Sequence, residues 1–124
     1  MQSTEKKILI IDDDSRNIFA LKAVLTAKKY ACVAANNAKE GLDMIKKDGD
    51  VGVVLLDMMM PDMDGYQALA KMREDQQLKD VPAIAVTAQA MLGDKERCLE
   101  AGAVGYISKP VNVEELIKLI NQYL

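Results

Sequence analysis

The amino acids most often found in zinc sites are scarce in this chain. Its 124 residues include no histidine and only two cysteines, Cys32 and Cys98. Because zinc sites in proteins are built largely from histidine and clustered cysteine, this composition argues against one. The two cysteines show no paired spacing, so we expect free thiols in a reducing compartment rather than a disulfide.

Long apolar runs and strong net charge are also missing. No apolar stretch reaches the roughly 20 residues that span a bilayer. Residues 1–7 lack the apolar core of a signal peptide, and Gln2 does not fit the myristoylation pattern. A formal net charge of −3 gives no sign of binding to nucleic acid or to anionic membranes. We therefore expect a cytoplasmic protein without nucleic-acid or membrane contact.

What the sequence does contain is a regular alternation of short apolar strands and amphipathic helices. The expected strands are residues 7–11, 30–35, 51–56, 83–87 and 104–108. The expected helices are residues 15–28, 38–47, a helix carrying Tyr66, Leu69 and Met72, residues 91–100, and a last helix capped by Asn112. This alternation predicts one α/β domain over residues 1–124, with a doubly wound parallel sheet covered on both faces.

Polar residues follow four of the five strands. Asp12 and Asp13 come after the first strand, Asp57 ends the third, Thr87 ends the fourth, and Lys109 follows the fifth. The carboxyl ends of parallel strands share one edge, so these side chains are expected to converge there. Each alone has an ordinary interpretation as a cap, a strand residue or a surface charge. Clustered carboxylates repel unless partly protonated or bound to a divalent cation, and oxygen ligands favour Mg²⁺.

With these residues in place, the sequence resembles the response-regulator receiver domains, the phosphoacceptor modules of two-component signalling. The matching stretches are residues 8–13, 53–65 (VVLLDMMMPDMDG), 82–87 and 105–110 (GYISKP), and the resemblance covers essentially the whole chain. It implies a flavodoxin-like (βα)5 fold with strand order 2-1-3-4-5.

The resemblance also implies a role for each acidic residue. Asp57 would be the nucleophile that accepts a phosphoryl group from a phosphohistidine. Asp12 and Asp13 would bind Mg²⁺, or Mn²⁺ in its place, together with Asp57 and the backbone carbonyl of Met59. Because the partner supplies the phosphohistidine, the chain needs no histidine of its own.

Further residues are assigned by the resemblance to phosphoryl binding and to switching. Thr87 would donate a hydrogen bond to the phosphoryl group, Lys109 would pair with its charge, and the peptide before Pro110 would be cis. Tyr106 is expected to turn inward on phosphorylation. The surface made by residues 91–100, 104–108 and 112–122 would then repack.

The lifetime of the phosphoryl group is expected to depend on two positions. Met59 lies two residues after Asp57 and cannot orient an attacking water, whereas the amide of Gln89, two residues after Thr87, can. This combination predicts an intermediate lifetime.

The resemblance names the class of partner but not its identity. The donor would be a sensor histidine kinase or a histidine phosphotransfer protein, docking near Arg16, Asn17 and Ala20 on the first helix. The chain fits a stand-alone receiver and a receiver from a hybrid sensor kinase equally, and the sequence does not define the downstream output.

Two other functions fit the predicted architecture. A Mg²⁺-dependent hydrolase of the haloacid-dehalogenase type would also use an aspartate nucleophile, but it would have a second acid where this chain has Met59. A flavodoxin-like FMN carrier would have a phosphate loop without acids and more aromatic residues than one Phe and four Tyr.

Overall fold

Five strands and five helices alternate in the computed structural model, which describes residues 6–88 and 92–124. The strands are β1 (Lys7–Ile11), β2 (Ala31–Ala35), β3 (Val51–Asp57), β4 (Ala83–Thr87) and β5 (Gly105–Ser108). The helices are α1 (Ser15–Ala27), α2 (Ala38–Lys47), α3 (Gly65–Glu74), α4 (Asp94–Glu100) and α5 (Val113–Asn121).

The strands form one parallel sheet in the order β2-β1-β3-β4-β5, which confirms the expected fold class and strand order. β1 and β3 are neighbours, and Ile11 pairs with Leu56 just before the acidic residues begin. On the other side of β3, Asp57 pairs with Val86, and Thr87 pairs with Ser108 of β5. The register therefore brings the ends of β1, β3, β4 and β5 to a common edge.

Alternate residues of each strand belong to separate apolar layers on the two faces of the sheet. The layer beneath α2, α3 and α4 contains Leu9, Ile11, Val54, Leu56, Ala83, Ala85, Leu42, Leu69, Met72 and Cys98. The layer beneath α1 and α5 contains Ile8, Ile10, Val53, Leu55, Ile84, Val86, Leu21, Leu25, Leu116 and Ile120. Because the sheet is buried on both faces, the sequences of its strands are nearly continuous apolar runs.

Side-chain caps fix where four helices begin. Asp14 accepts from the backbone N–H of Arg16 at the start of α1, and Asn112 accepts from that of Glu115 at the start of α5, as expected from the sequence. Asn37 caps α2 in the same way. Asp64 and Gln67 form a reciprocal capping box at α3. The caps on α1 and α3 lie next to the acidic strand ends and so fix the backbone around them.

Several element ends differ by a few residues from the sequence expectations, as is usual for such boundaries. β3 runs one residue further, to Asp57, while β2 begins at Ala31, β5 at Gly105, and α1 ends at Ala27. The fourth helix begins at Asp94 rather than at residue 91, because Gly93 has a φ of +85°, which a helix does not accommodate. Residues 89–91 lie outside the described part of the chain.

Both cysteines lie in the described part of the chain. Cys32 and Cys98 are both free, and Cys98 is buried. Within residues 6–88 and 92–124, no helix combines the length and apolar character required to cross a bilayer.

Candidate functional site

Three carboxylates meet at the carboxyl end of the sheet. Asp12 follows β1 and Asp57 ends β3, and their side chains are only 3% and 5% exposed. One oxygen from each of Asp12, Asp13 and Asp57 falls in a group whose members lie within 4.8 Å of one another. Asp13 is exposed, so the cluster opens to solvent on its side. The three residues lie together, as expected from their positions at the ends of parallel strands.

Asp12 is fixed by the first turn of α1. The backbone N–H of Asp14 donates to Asp12 Oδ1 at 2.9 Å, and the Asn17 amide donates to Oδ2 at 3.0 Å. Asp12 also extends the β1–β2 ladder, because its N–H donates to the Ala35 carbonyl at 3.2 Å. Asn17 was expected only on a docking surface, and its contact with a buried carboxylate was not predicted.

Asp57 is fixed by the loop that follows it. The N–H of Met59 donates to Asp57 Oδ1 at 3.0 Å. The N–H of Met58 donates to the Val86 carbonyl, which ties the start of this loop to β4. Oδ2 of Asp57 is therefore the oxygen that faces the cation of Lys109, at 3.7 Å.

Lys109 contributes the positive charge of the site. Its Nζ lies 3.4 Å from Asp12 Oδ2 as well as 3.7 Å from Asp57 Oδ2. Its backbone N–H donates to the Thr87 carbonyl at 2.7 Å, and the following Lys109–Pro110 peptide is cis, as expected. Thr87 ends β4 and is 2% exposed. The four strand ends thus bring acids, a hydroxyl and an ammonium to one edge.

The charges of this cluster are not balanced. Burial raises the pKa of Asp57 to about 6, and the nearby charge of Asp12 adds to the rise, while the Met59 N–H and Lys109 oppose it. In the described part of the chain, the ion pairs of Asp12 and Asp57 are both made with Lys109, and Asp13 adds a third carboxylate, so a further positive charge would stabilise the ionised cluster. The three side chains offer only oxygen atoms as metal ligands, which is the ligand set of a hard divalent cation such as Mg²⁺. The described residues therefore fit a metal site.

Of the two positions expected to set the phosphoryl lifetime, Met59 and Gln89, the structure describes Met59. Met59 is 51% exposed, and its backbone supports Asp57. Gln89 lies outside the described residues.

Tyr106 makes a contact that the sequence did not predict. Its hydroxyl donates to Asp94 Oδ2 at 2.8 Å, and Tyr66 donates to Oδ1 of the same residue. No spacing rule connects residues 12 and 28 positions apart, so the sequence held no signal for this cluster.

Similarity to known proteins identifies the family of this chain. A sequence model of the response regulator receiver domain matches residues 8–121. The chain belongs to the response regulator receiver family. It is therefore a receiver domain of two-component signalling, and this assignment favours that function over the hydrolase and flavin alternatives.

Relatives of this receiver domain match almost its full length. The polar-differentiation response regulator DivK of Brucella anthropi is 33% identical over 119 residues, covering 96% of each chain. A CheY-like receiver protein from Methanospirillum hungatei JF-1 is 35% identical, with a TM-score of 0.83 and coverage of 95% and 92%. The receiver domain of sensor histidine kinase PA1611 from Pseudomonas aeruginosa PAO1 is 28% identical, with a TM-score of 0.85 and coverage of 96% and 97%. That structure has a magnesium ion in its active site cleft.

Proposed function

We propose that residues 1–124 act as a single phosphoacceptor domain in which Asp57 takes a phosphoryl group from a phosphohistidine. The observation that carries the proposal is the placement of Asp57 beside both a second buried carboxylate and the ammonium of Lys109. A carboxylate nucleophile, a cation for the phosphoryl oxygens and a ligand set for a divalent ion are the parts that this transfer needs.

The same cluster is the proposed metal site. Asp12, Asp13 and Asp57 would hold Mg²⁺, or Mn²⁺ in its place, with the backbone carbonyl of Met59 as a further ligand. When bound, the ion supplies positive charge to the carboxylates and to the phosphoryl oxygens. The hydrogen bonds from Asp14 and Asn17 to Asp12 support this assignment, because they fix the orientation of the carboxylate.

In the proposed transfer, a carboxylate oxygen of Asp57 forms a bond to phosphorus. The bond between phosphorus and the imidazole nitrogen of the donor breaks, and that nitrogen keeps the electron pair. Lys109 pairs with the phosphoryl charge, and the hydroxyl of Thr87 donates a hydrogen bond to a phosphoryl oxygen. These residues act mainly by position and charge, which is how proteins accelerate phosphoryl transfer in general.

The proposed donor is a sensor histidine kinase or a histidine phosphotransfer protein that docks on α1. Arg16 and Ala20 are exposed there, and Phe19 is 76% exposed between them. An exposed aromatic side chain on the helix that follows the acidic residues supports a protein contact at this position, because aromatic residues are enriched in protein interfaces.

The proposed response is a rearrangement of the surface formed by residues 91–100, 104–108 and 112–122. Residue 91 lies outside the described part of this surface. Tyr106 is half-buried in it, next to α4, so a change in its ring would reach both β5 and α4. Unchanged backbone chemical shifts across this surface after phosphorylation would contradict this part of the proposal. Met59 and Gln89 would give the phosphoryl group an intermediate lifetime.

Intact mass spectrometry after incubation with acetyl phosphate and Mg²⁺ tests the central step. We expect one phosphoryl group on the wild type and none after addition of a chelator or in Asp57→Asn. Asp43→Asn is the matched control, since Asp43 is an exposed carboxylate on α2, and it should be phosphorylated like the wild type. Equal labelling of Asp57→Asn and wild type would place the acceptor elsewhere and refute the proposal.

A further inference from the structure

Asp94, the first residue of α4, joins three elements of the domain through one carboxylate. Tyr106 of β5 donates its hydroxyl to Oδ2 at 2.8 Å, and Tyr66 of α3 donates to Oδ1 at 3.2 Å. Each carboxylate oxygen therefore holds a tyrosine from a different element. This Tyr66–Asp94–Tyr106 cluster contains none of the residues proposed to bind the metal or the phosphoryl group.

Both hydrogen bonds involve a charged acceptor and partly buried donors. The bond from Tyr106, at 2.8 Å, is the shorter of the two, and hydrogen bonds to a charged acceptor are stronger than those between neutral groups. Burial, followed by the bond to Asp94, raises the pKa of Tyr106 to about 12, and burial also raises the pKa of Tyr66. Both hydroxyls therefore keep the proton that they donate over the whole physiological pH range.

The surroundings hold the two rings as well as their hydroxyls. Both tyrosines pack against the apolar layer that contains Cys98 and Ala85. The guanidinium of Arg97 lies 4.9 Å from the centre of the Tyr66 ring, and Cys98 Sγ lies 3.6 Å from the Tyr66 hydroxyl. Tyr66 is thus fixed on several sides, whereas Asp94 is the hydrogen-bond partner that the structure gives the Tyr106 hydroxyl.

In the proposed response, Tyr106 is the residue through which a change at the acidic site would reach α4. It pairs with Ala85 in the sheet, two residues before the register pair of Thr87 and Ser108. A reorientation of the Tyr106 ring breaks its bond to Asp94, because the hydroxyl moves with the ring. In the proposed switch, the strength of that bond therefore enters the equilibrium between the observed arrangement of Tyr106 and the reoriented one.

We propose that Asp94 is a positioning residue that holds Tyr106 and α4 in the unphosphorylated arrangement and thereby opposes the switch. This inference rests on the proposed function, since it concerns how the phosphoryl site at Asp57 is coupled to α4. It adds a residue that sets the threshold of the response without touching the metal or the phosphoryl group. A phosphoryl mimic binds more tightly to the switched state than to the unphosphorylated state. A mutation that destabilises the unphosphorylated state therefore makes the mimic bind more tightly overall.

Titration with beryllium fluoride and Mg²⁺, followed by NMR, tests the inference. We expect Asp94→Ala to bind beryllium fluoride about threefold to tenfold more tightly than the wild type. Asp94→Asn keeps an acceptor oxygen without the charge, so its affinity should be intermediate. Tyr66→Phe is the matched control: it removes the other hydrogen bond to the same carboxylate, and its affinity should stay within about twofold of the wild type.

A double-mutant cycle separates positioning of Tyr106 from a general loosening of α4. If Asp94 acts through the Tyr106 hydroxyl, Asp94→Ala should change the affinity of wild type but not that of Tyr106→Phe. Three results would overturn the inference. One is additive effects of Asp94→Ala and Tyr106→Phe on the affinity for beryllium fluoride. The others are an unchanged or weaker affinity of Asp94→Ala, and a gain in affinity from Tyr66→Phe equal to that from Asp94→Ala. Wild-type protein that does not bind beryllium fluoride would overturn the proposed function together with it.

Discussion

The ammonium of Lys109 lies 3.7 Å from Asp57 Oδ2 and 3.4 Å from Asp12 Oδ2, so one cation serves both buried carboxylates. It is placed as a counter-ion for both carboxylates, and under the proposed function it would also pair with a phosphoryl group on Asp57. These two roles would have opposite consequences for metal binding and for phosphoryl transfer.

Lys109→Met should therefore change metal binding and phosphorylation in opposite directions. Loss of the cation makes the acidic cluster more negative, and we expect Mg²⁺ to bind about fivefold to tenfold more tightly, measured by calorimetry. Phosphorylation by acetyl phosphate should slow by about 10²-fold, because the charge that stabilises the transferring group is gone. Lys7→Met, which removes an ion pair with Asp48, is the control and should alter neither. A parallel loss of metal affinity and phosphorylation in Lys109→Met would instead indicate that the site has collapsed.

The part of the site built by the backbone could be predicted from the sequence. Asp12, Asp57, Thr87 and Lys109 each follow or end an apolar strand, and parallel strands bring such positions to one edge whatever the details of packing. The strand order itself came from the resemblance to receiver domains, because alternation alone leaves several orders open.

Contacts between side chains of separate elements could not be predicted. The bond from Asn17 to Asp12 depends on how α1 is placed over β1, and the cluster around Asp94 depends on the relative positions of α3, α4 and β5. The start of α4 was misplaced for a related reason. The left-handed conformation of Gly93 is set by the loop, and glycine in a sequence permits that conformation without requiring it.

Asn17→Ala should weaken metal binding although Asn17 carries no charge. Its amide donates to Asp12 Oδ2 at 3.0 Å and so holds a proposed metal ligand in place. Residues that orient ligands typically contribute about 10-fold to 100-fold in affinity, and we expect a loss near the lower end of this range for Mg²⁺. Asn121→Ala removes an amide that contacts Tyr30 instead and should bind Mg²⁺ like the wild type. Equal affinities of Asn17→Ala and wild type would show that the capped backbone alone positions Asp12.

Gly65→Ala should destabilise the domain through the loop that follows Asp57. A Cβ at Gly65 would lie 2.7 Å from the Cα of Met58, and the Gly65 N–H donates to the Met58 carbonyl at 3.2 Å. The backbone beside Asp57 would have to shift, so we expect a loss of about 1–3 kcal/mol in the free energy of unfolding. Gly49→Ala is the matched control, because a Cβ there meets no atom within 4 Å. Urea denaturation of both variants tests this prediction. Equal midpoints would show that the loop accommodates the added methyl group without loss of stability.

Asp57→Asn should stabilise the metal-free protein, and the gain should depend on pH. Burial raises the pKa of Asp57 to about 6, so the folded state keeps this proton to a higher pH than the unfolded chain. Stability is therefore lost as the pH rises from about 4 to about 6 and stays lower above it. With a chelator present at pH 8, we expect the free energy of unfolding of Asp57→Asn to be about 1–3 kcal/mol higher than that of the wild type. At pH 4 we expect little difference between the two proteins. Asp48→Asn should have the opposite effect on stability. The hydrogen bond from Lys7 lowers the pKa of Asp48, so replacing this carboxylate should destabilise the protein at neutral pH. If Asp57→Asn stabilises the protein equally at pH 4 and pH 8, the gain comes from the new amide rather than from removal of a buried charge.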